Sequence, residues 1–140
     1  MPKILVIDDE ETIVTYLTLV LEDSGYETLS ACDADEGLVL ARREGPDLIT
    51  LDIMMPKRSG LSLFAEMKRD VELASIPVVI VSGFTTLCDL RDPAAFQKIV
   101  RDPTIPRPEA CFEKPVDLPA FLAAVEELCG GASSRKEAEG

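Results

Sequence analysis

The 140-residue chain contains no histidine. That absence removes His-based catalytic triads and any phosphohistidine on this chain. Acid–base or nucleophilic work must then fall to Asp, Glu, Lys, Ser or Cys. The four cysteines, Cys32, Cys88, Cys111 and Cys129, lie far apart with no C-x-x-C pair. Neither a zinc site nor a disulfide framework is expected, and buried reduced thiols are the better reading. Basic residues are scarce as well: 14 Lys and Arg stand against 26 Asp and Glu, a formal charge of −12. Direct nucleic-acid binding needs a basic footprint and is therefore not expected. No apolar run approaches the roughly 18 residues needed to cross a bilayer. The opening MPKILVIDDE lacks a signal-peptide cleavage pattern, so a cytoplasmic protein without a membrane partner is expected.

What is present is organised around Asp47 to Gly60, DLITLDIMMPKRSG. A short apolar run (Leu48, Ile49, Leu51) has the length of a buried strand and stops on Asp52. The chain then turns through Met54-Met55-Pro56 and restarts at Ser59-Gly60 before a helical pattern. Upstream, Lys3 to Ile7 reads as a central parallel strand ending on Asp8-Asp9-Glu10. From Glu11 a helix is expected with Ile13, Leu17, Val20 and Leu21 on one face, broken by Gly25. Tyr26 to Ala31 is a second strand nearer an edge, and Asp33 caps a helix to Glu44 that Gly45-Pro46 ends.

Downstream of Asp52, Ser59 to Arg69 is a third helix. Val78 to Val81 is a β-branched strand ending on Ser82-Gly83. Asp92-Pro93 opens a fourth helix to about Arg101, and Pro103, Pro106 and Pro108 make an irregular connector. Ala110 to Glu113 is the last strand, ending on Lys114-Pro115. Asp117 caps a final helix with Leu118, Phe121, Leu122, Val125 and Leu128 on one face. Gly130-Gly131 is expected to end it, leaving one domain over 1–130 and a polar, disordered tail or linker over 131–140. Five strands alternating with five helices imply an α/β fold: a parallel sheet covered on both faces.

Parallel strands open at their carboxyl ends onto the crevice where ligands bind. Asp8-Asp9, Asp52 and Lys114 follow three such ends, and Ser82 a fourth. Taken singly, each has a plainer explanation: Asp52 as a turn residue, Asp8-Asp9 as charges at a helix N-terminus, Ser82 and Lys-Pro as loop residues. Together they fit one chemistry. Crowded carboxylates repel, and a hard divalent cation such as magnesium takes oxygen ligands of this kind together with a phosphate. Lys114 and Ser82 would hold phosphoryl oxygens.

The sequence resembles the receiver domain of two-component response regulators from Lys3 to about Cys129. The resemblance rests on the acidic pair of VIDDE, on Asp52, Met55, Pro56 and Gly60 of a DxxMPxxxG pattern, on Ser82-Gly83 and on Lys114-Pro115. Ser82 lies 30 residues after Asp52, the separation usual in that family. The resemblance implies a flavodoxin-like doubly wound sheet of order 2-1-3-4-5 and a phosphorylation switch. Asp52 would take a phosphoryl group from a histidine on a sensor kinase or phosphotransfer protein. Asp9, Asp52 and the Met54 carbonyl would bind Mg2+, with Asp8 acting through a water, and Lys114 and Ser82 would contact the phosphoryl oxygens. Output would pass to a downstream protein partner by contact, with the chain a monomer or a phosphorylation-dependent dimer. It would be a signalling phosphoacceptor, not an enzyme with a turnover of its own.

Three departures from the family pattern stand out. The aromatic residue usual three positions before the lysine is Cys111 here, and Phe112, one residue later, should point to the other face of its strand. Ser82 and Lys114 are further apart than is usual, so the segment from Leu87 to Arg107 carries either a remodelled output face or a tolerated insertion. Met54 and Phe84, at the positions flanking the hydrolytic water in receivers, are apolar, and slow self-dephosphorylation is expected. Two other classes compete with this reading. A haloacid-dehalogenase-type phosphohydrolase needs a second acid two residues after its nucleophile, where this chain has Met54. A receiver-like interaction module working without phosphorylation is the remaining alternative.

Overall fold

β-branched and leucine-rich runs form the three interior strands of a five-stranded parallel sheet in a computed structural model. It describes residues 2–53, 59–82, 94, 104–114 and 116–139, with 130–139 as backbone alone. The strands are β1 (Lys3–Ile7), β2 (Glu27–Ala31), β3 (Leu48–Leu51), β4 (Val78–Ser82) and β5 (Ala110–Glu113), in the order β2-β1-β3-β4-β5. All pairings are parallel; Ile7 stands opposite Leu51, and Ser82 opposite Glu113. The interior strands β3 and β4 are buried at every residue, whereas β2 and β5, at the two edges, are mixed. Solvation of one flank explains the weaker apolar signal of both edge strands.

Four helices lie among the described residues: α1 (Glu11–Asp23), α2 (Ala34–Glu44), α3 (Gly60–Arg69) and α4 (Leu118–Glu139). Their starts follow local chemistry. Asp33 accepts the Glu36 N–H at 2.8 Å, Ser59 the Leu61 N–H at 3.1 Å and Asp117 the Ala120 N–H at 3.4 Å. Gly45 closes α2 with a left-handed φ of 55°, a conformation that costs glycine nothing. The helix expected from Asp92 to Arg101 lies outside the described residues except for Ala94, which is helical and exposed.

Two expectations need correction. The inward face of α1 is Val14, Leu17 and Leu21 with Ile13 packed against the same core, whereas Val20 is only half-buried. The last helix does not stop at Gly130-Gly131 but runs on to Glu139. Each helical glycine costs only about 1 kcal/mol. The Ser, Arg, Lys, Glu and Ala that follow include good helix formers and no proline, so nothing forces a stop there.

The sheet separates two cores. Leu5, Ile7, Ile49, Leu51, Val78, Ile80 and Cys111 meet α2 and α3 through Ala41, Leu63, Phe64 and Met67. Ile4, Val6, Leu48, Val79 and Val81 meet α1 and α4 through Leu17, Leu21, Phe121 and Val125. Each fully buried Leu, Ile or Phe contributes about 1.5–3 kcal/mol. Covering both faces fixes the strands' carboxyl ends along one rigid edge.

Candidate functional site

The hydrogen-bond ladder continues one residue past several strands, and those extra residues carry the chemistry. Asp8 donates its N–H to the Ala31 carbonyl at 3.1 Å, Asp52 to Ile7 at 3.0 Å, and Lys114 to Ser82 at 3.0 Å. The backbone therefore holds Asp8, Asp52 and Lys114 at the same edge although they are scattered in sequence. Asp8 and Asp52 are each 2% exposed and Ser82 is fully buried. Gly60 closes the site from below: a Cβ there would strike the Asp52 carbonyl oxygen and lie 2.6 Å from the Ile53 Cα. Only glycine lets α3 start this close to the Asp52 backbone.

Lys114 is the centre of the cluster. Its Nζ lies 2.9 Å from Asp8 Oδ2, 3.2 Å from Glu10 Oε1 and 3.6 Å from Asp52 Oδ2. Burial pulls its ammonium toward neutrality, but the hydrogen bond it donates to Asp8 and the charges of Asp52 and Asp8 outweigh that, with help from Glu10. The net effect is a pKa above the ordinary lysine value. Lys114 is thus a fixed cation at neutral pH.

Carboxylate oxygens of Asp8, Glu10 and Asp52 all lie within 4.8 Å of one another. Asp9 is not a member of that group, but its Oδ1 is buried without a hydrogen-bond partner. An orphaned buried carboxylate oxygen is costly, and beside an all-oxygen donor set it is what a hard cation would satisfy. The residues fit magnesium. Met54 to Arg58, Gly83, Phe84 and Pro115 lie outside the described residues.

Glu10 is the site residue that sequence reasoning overlooked. Its N–H bonds to Asp8 Oδ1 at 2.9 Å, which folds the DDE run back over the edge. The third acid of that run was the available signal. The register at β5 is as expected from strand alternation. Cys111 pairs with Ile80 and is buried on the α2/α3 face. Phe112 turns to the other face and meets Phe121 edge-on at 5.7 Å.

Comparison with known proteins decides the family. Residues 4–97 match the response regulator receiver domain. The chain belongs to that family. This receiver domain is 34% identical over 133 residues to the polar-differentiation response regulator DivK of Brucella anthropi, covering 94% of this chain and all of that protein. It is 39% identical over 82 residues to protein PilH of Pseudomonas aeruginosa, covering 59% of this chain and 68% of the relative. A response regulator receiver domain protein from Clostridium thermocellum superposes with a TM-score of 0.77 at 27% identity, covering 95% of this chain and 98% of that one. The family match ends before Lys114, but β5 and α4 complete the receiver order beyond it. No helix among the described residues is long and apolar enough to cross a membrane.

Proposed function

We propose that this receiver domain is the phosphoacceptor switch of a His-to-Asp phosphorelay, phosphorylated on Asp52. The observation that carries this reading is the Lys114 ammonium, held between two almost fully buried aspartates at the carboxyl edge of the sheet. An Asp52 carboxylate oxygen attacks the phosphorus of a phosphohistidine on a sensor kinase or phosphotransfer protein. The P–N bond breaks, the imidazole leaves with a proton from solvent, and Asp52 ends as an acyl phosphate. Such transfers depend on positioning and charge neutralisation more than on covalent help from the protein. Lys114 supplies fixed positive charge to the phosphoryl oxygens and Ser82 a hydroxyl. Asp9, Asp52 and the Met54 carbonyl would hold Mg2+, with Asp8 acting through water. Bound magnesium supplies further neutralisation of phosphoryl charge.

The phosphoryl group adds almost two negative charges at Asp52. That draws Ser82 and Lys114 toward it and biases the neighbouring surface for a downstream protein partner, in the cytoplasm. Because Cys111 stands where a ring is usual and Phe112 faces α4, this relay runs without an inward-turning aromatic. Apolar Met54 and Phe84 make the acyl phosphate long-lived, and polar replacements at both positions should shorten its lifetime.

The test is intact mass after incubation with Mg2+ and acetyl phosphate, with Asp52→Asn as control. A metal-dependent phosphate adduct absent from the control is expected. Folded, magnesium-binding protein that takes no phosphate would instead favour an interaction module that works without phosphorylation.

A further inference from the structure

Lys114 lies within hydrogen-bonding distance of Asp8 and Glu10, at 2.9 and 3.2 Å, and is ion-paired with Asp52 at the longer distance of 3.6 Å. The ammonium that should serve the phosphoryl group is thus drawn more closely to two other carboxylates than to Asp52. The two differ in what release would cost. Asp8 is 2% exposed, so breaking its contact with the lysine leaves a buried carboxylate with little bulk solvent to resolvate it. Glu10 has its side chain 55% exposed, so its carboxylate is readily resolvated when the contact breaks. Its backbone is nonetheless pinned by the bond from its N–H to Asp8 Oδ1 at 2.9 Å, so the side chain starts within reach of Lys114.

We propose that Glu10 is a positioning residue: in the unphosphorylated protein it holds Lys114 back from Asp52, and the incoming phosphoryl group must take the lysine from it. The inference rests on the phosphoacceptor reading above. It makes Glu10 the exchangeable arm of the site, an anion that restrains phosphorylation by competing for the same cation.

The experiment has two arms, both on the full chain. In metal-free, unphosphorylated protein, the Nζ resonance of Lys114 is followed by NMR in wild type and Glu10→Ala, with Lys68 as the internal reference. The proposal expects the Lys114 signal to move and that of Lys68 to stay; an unmoved Lys114 signal overturns it. In the second arm, phosphorylation by acetyl phosphate is timed at saturating Mg2+. Glu10→Ala should react roughly two- to fivefold faster, the range expected for loss of an exposed ion pair. Glu11→Ala removes an equal charge from the next, exposed residue. Equal acceleration by Glu11→Ala would mean simple repulsion of the anionic donor and overturns the proposal, as does an unchanged or slower Glu10→Ala. If wild type takes no phosphate, the phosphoacceptor reading fails, and the NMR arm alone still decides whether Glu10 holds the lysine.

Discussion

Two lysines stand at opposite ends of the sheet, and their surroundings give them different work. Lys68, near the amino ends of β4 and β5, has its side chain 2% exposed. It donates to the carbonyls of Ala74 at 3.2 Å and Ile76 at 3.0 Å, and lies 3.5 Å from Glu109 Oε1. Glu109 in turn accepts the Val78 N–H at 2.6 Å. The two carbonyls are neutral and belong to the turn before β4, Glu109 belongs to the approach to β5, and the ammonium also lies 5.7 Å from the Phe64 ring of α3. Lys114, at the carboxyl ends, faces three carboxylates instead. One cation among three anions leaves negative charge uncompensated, which invites a second cation. One positive charge serves as a rivet where its partners are neutral and as a tradeable contact where anions outnumber it.

The contrast breaks most visibly under substitution of the two lysines. Lys68→Met should cost about 3 kcal/mol in urea unfolding, because buried carbonyls lose a charged donor. That loss should be the same with or without Mg2+. Lys114→Met leaves Asp8 and Asp52 uncompensated, and should cost about 1–2 kcal/mol that millimolar Mg2+ largely restores. Equal magnesium responses in the two variants would erase the distinction.

Next in size is Gly60→Ala, about 2 kcal/mol for forcing a methyl group against the Asp52 backbone. Because the displaced atoms belong to the acceptor's own backbone, the folded variant should also phosphorylate more slowly. Lys68→Met, once folded, should not.

The smallest effect concerns pH. Cys129 is buried on α4, and its thiol is pushed up to about 11, by burial first and the charge of Asp47 second. A raised folded value means its contribution is complete below the unfolded value near 9 and is lost as pH rises toward 11. Wild type should therefore lose about 1 kcal/mol more than Cys129→Ala between pH 8 and 10 in urea titrations. Since Cys129 lies away from the acceptor edge, the sensitivity should persist in Asp52→Asn.

Much of this could be read from local signals. Asp33 and Asp117 announced their helices because a capping side chain acts within a few residues. Buried β3 and β4 were legible as largely apolar runs, Asp52 and Ser82 as polar residues placed where those runs stop, and Lys114 as the charge that ends the short last strand. Asp8 and Asp9 stood out in the same way after β1. Glu10 was not legible as a partner of Lys114, because their meeting depends on how the DDE turn folds over a strand more than a hundred residues away. Lys68 carries no sequence signal beyond being a lysine in the last turn of α3, and only tertiary packing buries it. The helix past Gly130-Gly131 escaped because a glycine pair weakens a helix without forbidding it.

The most direct test of the central claim is to locate the phosphate. Protein phosphorylated with acetyl phosphate and Mg2+ is reduced with borohydride, which converts an aspartyl phosphate to homoserine, and then mapped by peptide mass. Homoserine at position 52 and at no other aspartate is the predicted result. Conversion at Asp8 or Asp9, or phosphate retained with no aspartate reduced, would contradict Asp52 as the acceptor.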